Sequence, residues 1–163
     1  MPGWYALYTR PRHEKQVHDD LARREIEVFL PTYKVRRRWS DRYKIVEEPL
    51  FKNYLFVHID FDSRYYDILR PYGAVSFVRF DGEPAQIPDE EMAAIRRLVE
   101  SELPFNPHPY LKVGRKVRVK TGPLAGCEGI LTRKRGLARL VLSIGLLQQS
   151  VVAEVDADTV EPL

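Results

Sequence analysis

Hydrophobic and polar positions change period several times along the chain, and each change marks an element. Trp4-Tyr5-Ala6-Leu7-Tyr8-Thr9 has the aromatic content of a strand. Pro11 suits the first turn of a following helix, in which Val17 and Leu21 fall four apart. Glu14, Lys15, Asp19, Asp20, Arg23 and Arg24 cover the solvated side of that helix. Glu27 to Arg38 and Tyr43 to Leu50 read as extended segments around the polar turn Trp39-Ser40-Asp41-Arg42, and Tyr54 to Ile59 reads as a strand. A short helix is predicted over Ser63 to Leu69, a strand over Ala74 to Phe80, and a turn at Asp81-Gly82. Pro88-Asp89-Glu90-Glu91 then opens a helix with Met92, Ile95, Leu98 and Val99 on one face. Alternating strands and helices predict an α+β layer, a mostly antiparallel sheet covered by helices.

Leu103-Pro104-Phe105-Asn106-Pro107-His108-Pro109 breaks this texture, because its prolines forbid a continuing helix and favour an extended connector. Beyond it Lys116-Val117-Arg118-Val119-Lys120 alternates strictly, glycines punctuate at 122, 126, 129 and 136, and Leu140 to Ile144 and Ser150 to Val155 are further short strands. A small β-barrel fits. The expected organisation is a domain over 1–103, a proline-rich linker over 104–111 and a barrel domain over 112–163.

Composition narrows the function. The chain has 163 residues, 44% hydrophobic and 30% charged, enough for one or two packed cores. No run approaches the roughly 18 to 20 apolar residues of a membrane span, and the N-terminus lacks a basic segment followed by an apolar one. A cytoplasmic protein with no membrane association is expected. The single cysteine, Cys127, excludes an internal disulfide, and the four histidines have no metal-ligand spacing, so neither metal nor cofactor is expected. Residues 1–103 carry 17 basic and 18 acidic groups, whereas residues 104–163 carry 9 and 5. The C-terminal excess hints at a polyanion or an acidic partner.

Catalysis is not expected. There is no GxSxG, P-loop, GxGxxG or HExxH. The acidic pairs Asp19-Asp20, Glu47-Glu48 and Glu90-Glu91 are sequence neighbours, whose carboxylates point apart on a helix or strand. Cys127 among glycines reads as a small packed side chain.

The segment Gly114 to Ile130 has its own logic. Val117 and Val119 share a strand face, Gly122-Pro123 makes a sharp turn, and Gly126 and Gly129 permit positive φ or a close backbone approach where a small barrel bends. With Gly114 and Ile130 it resembles a KOW motif. Glu48-Pro49-Leu50-Phe51-Lys52-Asn53-Tyr54-Leu55-Phe56-Val57, with Trp4-Tyr5-Ala6-Leu7-Tyr8 and Val75-Ser76-Phe77-Val78-Arg79-Phe80, resembles the N-terminal domain of the NusG family of transcription elongation factors. The resemblance covers nearly the whole chain and is nearest to specialised RfaH-like antiterminators. It implies a NusG-type N-terminal domain followed by a KOW β-barrel, in a monomer that binds the clamp helices of the largest RNA polymerase subunit and raises processivity on particular operons.

On that resemblance the clamp-binding face is Trp4, Tyr8, Phe51, Tyr54, Phe56, Phe80 and Ile95, while Leu7, Leu55 and Val57 on the opposite strand face are core. Arg10, Arg12 and His13 approach the non-template DNA strand, and Tyr65 and Tyr66 approach the gate loop of the second-largest subunit or stack on a base. The cationic hairpin Arg36-Arg37-Arg38-Trp39 with Arg42 and Lys44 can hold upstream DNA or simply be solvated.

Some positions depart from the family pattern. Lys52-Asn53 replaces a Pro-Gly pair, and Tyr65-Tyr66-Asp67-Ile68 replaces a threonine-rich stretch. Leu124 and Cys127 stand where general members carry phenylalanines for termination factor Rho and the ribosomal protein NusE, which weakens the case for Rho. Valines and glycines argue against a helical alternative for the C-terminal domain. A contact of Glu48 with Arg133 or Arg139 stays open. The competing reading is a ribosome- or RNA-binding KOW protein, its affinity residing in the basic residues 110–163.

Overall fold

The computed structural model describes residues 1–163, which divide into two compact units, Met1–Ile87 and Pro88–Leu163. In the first unit β1 (Gly3–Thr9) leads to α1 (Glu14–Arg23), β2 (Glu27–Phe29), β3 (Thr32–Trp39), β4 (Arg42–Pro49) and β5 (Tyr54–Ile59). Next come α2 (Phe61–Leu69), β6 (Ala74–Phe77), β7 (Arg79–Phe80), β8 (Glu83–Pro84) and β9 (Gln86–Ile87). The sheet runs β2-β5-β1-β6 with β9 also on β1, and every pairing is antiparallel. Helices α1 and α2 pack on one face, where Leu7, Leu55, Val57, Val17, Leu21, Ile68 and Phe77 form the core. Leu7, Leu55 and Val57 are therefore core, as their strand parity requires. Truncating Leu21, fully buried, would cost about 2–5 kcal/mol.

Several local expectations are corrected. Pro11 lies outside α1, because Arg12 takes φ +65° and the helix starts only at Glu14. Glu14 is not solvated: it is 5% exposed, and its carboxylate accepts the Asn53 N–H at 3.0 Å. The extended segment after Glu27 breaks at Leu30-Pro31, and the strand after Ala74 breaks at Val78. Strands β3 and β4 leave the sheet as a separate two-stranded ribbon, joined at Ser40, which takes φ +58°. Within it Glu48 binds Arg37 through two hydrogen bonds of 2.7 and 2.8 Å, so its cationic partner comes from the neighbouring strand of its own ribbon.

The second unit holds α3 (Asp89–Glu100), β10 (Phe105–His108), β11 (Arg115–Val119), β12 (Glu128–Lys134), β13 (Leu137–Ile144), β14 (Gln149–Glu154) and β15 (Val160–Pro162). These strands form one antiparallel sheet in the order β10-β14-β13-β12-β11-β15. The proline-rich segment is extended as expected, but it is also paired, with Phe105 opposite Ala153 and His108 opposite Ser150. Prolines are tolerated there because β10 is an edge strand. Two glycines act as their positions demand: Gly126 has φ +89°, and a Cβ on Gly129 would sit 2.5 Å from the Val141 carbonyl oxygen. The chain is thus mixed α/β, with antiparallel sheets and three helices. No helix is long and apolar enough to cross a membrane.

Candidate partner-binding face

Successive strand side chains point to opposite faces. With Tyr5 and Leu7 committed to the helix side, Trp4, Ala6 and Tyr8 point to the other face, opposite His58, Phe56 and Tyr54 of β5. β2 adds Phe29 opposite Phe56. The rings meet in three groups along this face: Trp4 and His58 at 5.0 Å between centroids, Phe56 with Phe29 at 6.3 Å and with Phe51 edge-on at 5.6 Å, and Tyr8 edge-on to Tyr54 at 5.5 Å. Trp4, Phe51 and Phe56 are buried, whereas Tyr8 and Tyr54 are partly exposed. Rigid amphipathic rings of this kind are what protein interfaces favour as anchors.

The turn before Tyr54 is fixed from below. Asn53 takes φ +71°, its N–H donates to Glu14 and its carbonyl accepts the Thr9 N–H at 2.7 Å. Glu14, at the start of α1, thereby sets the start of β5 and the position of Tyr54. Sequence reasoning counted Glu14 as one more surface acid and had no signal for this. Of the other expected contacts, Phe80 is 70% exposed on the β7–β8 ribbon, and Ile95 is buried on α3 in the second unit.

A second cluster lies where β1 meets α1. The Arg10 guanidinium sits 5.2 Å from the centroid of the Tyr72 ring, and the His13 ring meets the same tyrosine at 5.4 Å. The Arg10 N–H donates to the Gly73 carbonyl, and Gly73, at φ +101°, leaves no room for a Cβ, which would lie 2.8 Å from that of His13. Tyr72 is 68% exposed. An exposed ring flanked by a guanidinium is suited to stacking on a base, with phosphates in reach of Arg10 and Arg12. Tyr72 was missed from sequence; its signal is an aromatic held between the turn residues Pro71 and Gly73. Tyr65 and Tyr66 separate in role: Tyr65 packs on Phe61 and Phe77, and Tyr66 points outward.

In the second unit Val117, Val119, Leu124, Cys127 and Ile130 are buried, and Gly114, Gly122 and Pro123 stand in its turns. A cleft of about 440 Å³ between α3 and the sheet is lined by Glu90, Glu91, Arg97, Cys127 and Ser143. Arg97 donates to the carbonyls of Ala125 and Pro123, and Glu91 accepts the Gly145 N–H at 3.2 Å. Burial pushes the Glu91 carboxyl up, against the Gly145 hydrogen bond that favours its charge, and Glu90 adds to the rise. No group of three or more His, Cys, Asp and Glu side chains is placed to hold a metal ion.

Comparison with known proteins follows the same outline. The family model described as transcription termination factor nusG matches residues 2–96. The transcription termination/antitermination protein NusG of Lactococcus lactis is 25% identical over 99% of this chain and 93% of its own length. The Pseudomonas aeruginosa protein of the same name is 24% identical over 97% of each. The solved structure of Thermotoga maritima NusG shares the fold, with a TM-score of 0.59 at 21% identity over 100% of this chain and 98% of that one. The chain belongs to the NusG family, whose members are transcription factors and not enzymes.

Proposed function

We propose that this protein is a transcription elongation and antitermination factor that binds RNA polymerase through the aromatic face of its first sheet and raises processivity, as a specialised member acting on particular operons. The observation that carries the reading is the row Trp4, Tyr8, Tyr54 and Phe56, with Phe51 packed behind it and Tyr8 and Tyr54 at its open end. Tyr8 and Tyr54 are the contacts with the clamp helices of the largest subunit, and the buried Trp4, Phe51 and Phe56 hold them in place. Phe80, exposed on the β7–β8 ribbon, extends that contact, whereas the buried Ile95 takes no part in it. Arg10, Arg12 and His13, with Tyr72, approach the non-template strand, and Tyr66 approaches the gate loop of the second-largest subunit.

Residues 112–163, in this reading, form a KOW module that takes NusE. Leu124 and Cys127 carry no aromatic ring and are buried, so neither can make the phenylalanine contact with Rho expected of general members. Transcription through an intrinsic terminator in a purified bacterial system tests the proposal. Added protein is expected to raise read-through, and Tyr8→Ala with Tyr54→Ala to abolish the gain. Unchanged read-through on all templates, with salt-sensitive binding of structured RNA by the C-terminal residues, would favour the ribosomal reading instead.

A further inference from the structure

The proline-rich stretch after α3 is docked along the sheet of the second unit instead of running free. Its β10 residues pair with the outer edge of β14, from Phe105 opposite Ala153 to His108 opposite Ser150. Beyond them the Leu111 N–H donates to the Ser150 hydroxyl at 3.0 Å. The Leu111 side chain packs on the buried cluster of Ile130, Val141 and Val152. Residues 105–111 are thus fastened by a short ladder and one apolar anchor.

That hold is weaker than the one on the neighbouring strands. Pro107 and Pro109 carry no N–H with which to fasten the stretch, and the His108 ring directs Nδ1–H to its own neighbour, the Pro109 carbonyl, at 2.6 Å. No residue from 104 to 111 is buried, whereas Leu140, Val141 and Leu142 of β13 are at most 2% exposed. Segments with few buried apolar contacts open at lower free energy than core strands. Departure of the stretch also orphans no buried hydroxyl, because Ser150 keeps its hydrogen bond of 2.6 Å with the Ser143 hydroxyl.

Docking sets the length of chain ahead of the following strands. With β10 in place, only residues 101–104 join α3 to the sheet, a span of about 18 Å at most. With β10 released, residues 101–114 join α3 to β11, and the limit rises to about 50 Å. We propose that residues 105–111 are a detachable strap that leaves β14 as a unit while β11 to β15 stay folded, switching the tether ahead of residues 112–163 between a short and a long length. The long tether widens the span over which those residues can meet a partner about threefold. The short one covers the β14 edge, which would otherwise offer unpaired backbone groups to other chains. The strap uses no residue of the ring face, and its release does not depend on that face binding polymerase.

Hydrogen exchange of the full chain, followed residue by residue by NMR, tests this. The Leu111 amide is expected to exchange at least about a hundredfold faster than the Leu140, Val141 and Leu142 amides, yet at least about tenfold slower than an unstructured amide. Urea below the unfolding transition should speed exchange in β13 and leave Leu111 unchanged, since undocking exposes little surface. Leu111→Ser removes the apolar anchor and is expected to speed the β10 amides bonded to β14 by about tenfold, with β13 within about twofold of wild type. The proposal is overturned if Leu111 and the β13 amides exchange at one common rate, which would make the stretch an integral strand. It is equally overturned if the Leu111 amide is unprotected in wild type, or if Leu111→Ser speeds β13 as much as β10.

Discussion

Removing the Glu14 carboxylate would leave the Asn53 N–H without its acceptor beneath the turn that precedes Tyr54. An unsatisfied buried donor costs about 1–3 kcal/mol. Glu14→Ala is expected to lower the urea midpoint accordingly, and Glu14→Gln, which keeps an acceptor oxygen, to recover most of the loss; equal losses would contradict this role. Gly129→Ala drives a methyl into the Val141 carbonyl and should cost about 1–3 kcal/mol by overpacking, read in the same unfolding experiment. At Cys127, burial pushes the thiol up while Arg97 pulls it the other way. The folded state therefore favours the protonated form, and stability from this group is kept at neutral pH and lost only as alkaline pH rises through its folded value. Alkylation by iodoacetamide at about pH 8 should be slow in the native protein and fast in urea.

Among the elements, α3 carries the clearest pH dependence. The Glu91 carboxyl is raised, chiefly by burial, so the folded state binds its proton more tightly than the unfolded chain does. The contribution is favourable below the usual carboxylate range and is lost as pH climbs above it. Glu91→Gln, which still accepts the Gly145 N–H, should melt progressively higher than wild type as pH goes from about 4 to 7. A gap that does not grow with pH would contradict the buried-carboxylate account. The elements themselves were largely legible: strand parity separated Leu7, Leu55 and Val57 from the ring face, and glycine spacing marked the turns at 122 and 126. What escaped depended on partners distant in sequence. Glu14 is set by Asn53, 39 residues away, and β10 by an edge pairing with β14 that proline content alone does not announce. Tyr72 gains meaning only beside Arg10 and His13.

At the scale of the whole molecule, two kinds of surface predict two kinds of salt response. Charge is concentrated in the ribbon and the C-terminal residues, within a chain of net charge +3, while the ring face is apolar and aromatic. Binding through rings should change little where binding through phosphate contacts falls steeply. The most direct measurement is affinity of the full chain for purified bacterial core RNA polymerase at about 50 and 200 mM KCl, wild type against Tyr8→Ala with Tyr54→Ala. Tight binding by wild type with little salt dependence is predicted, with a loss of about tenfold or more in the double variant while its far-ultraviolet circular dichroism is kept. Equal affinity of the two proteins, or no binding by wild type, would contradict the assignment of the aromatic face as the polymerase contact.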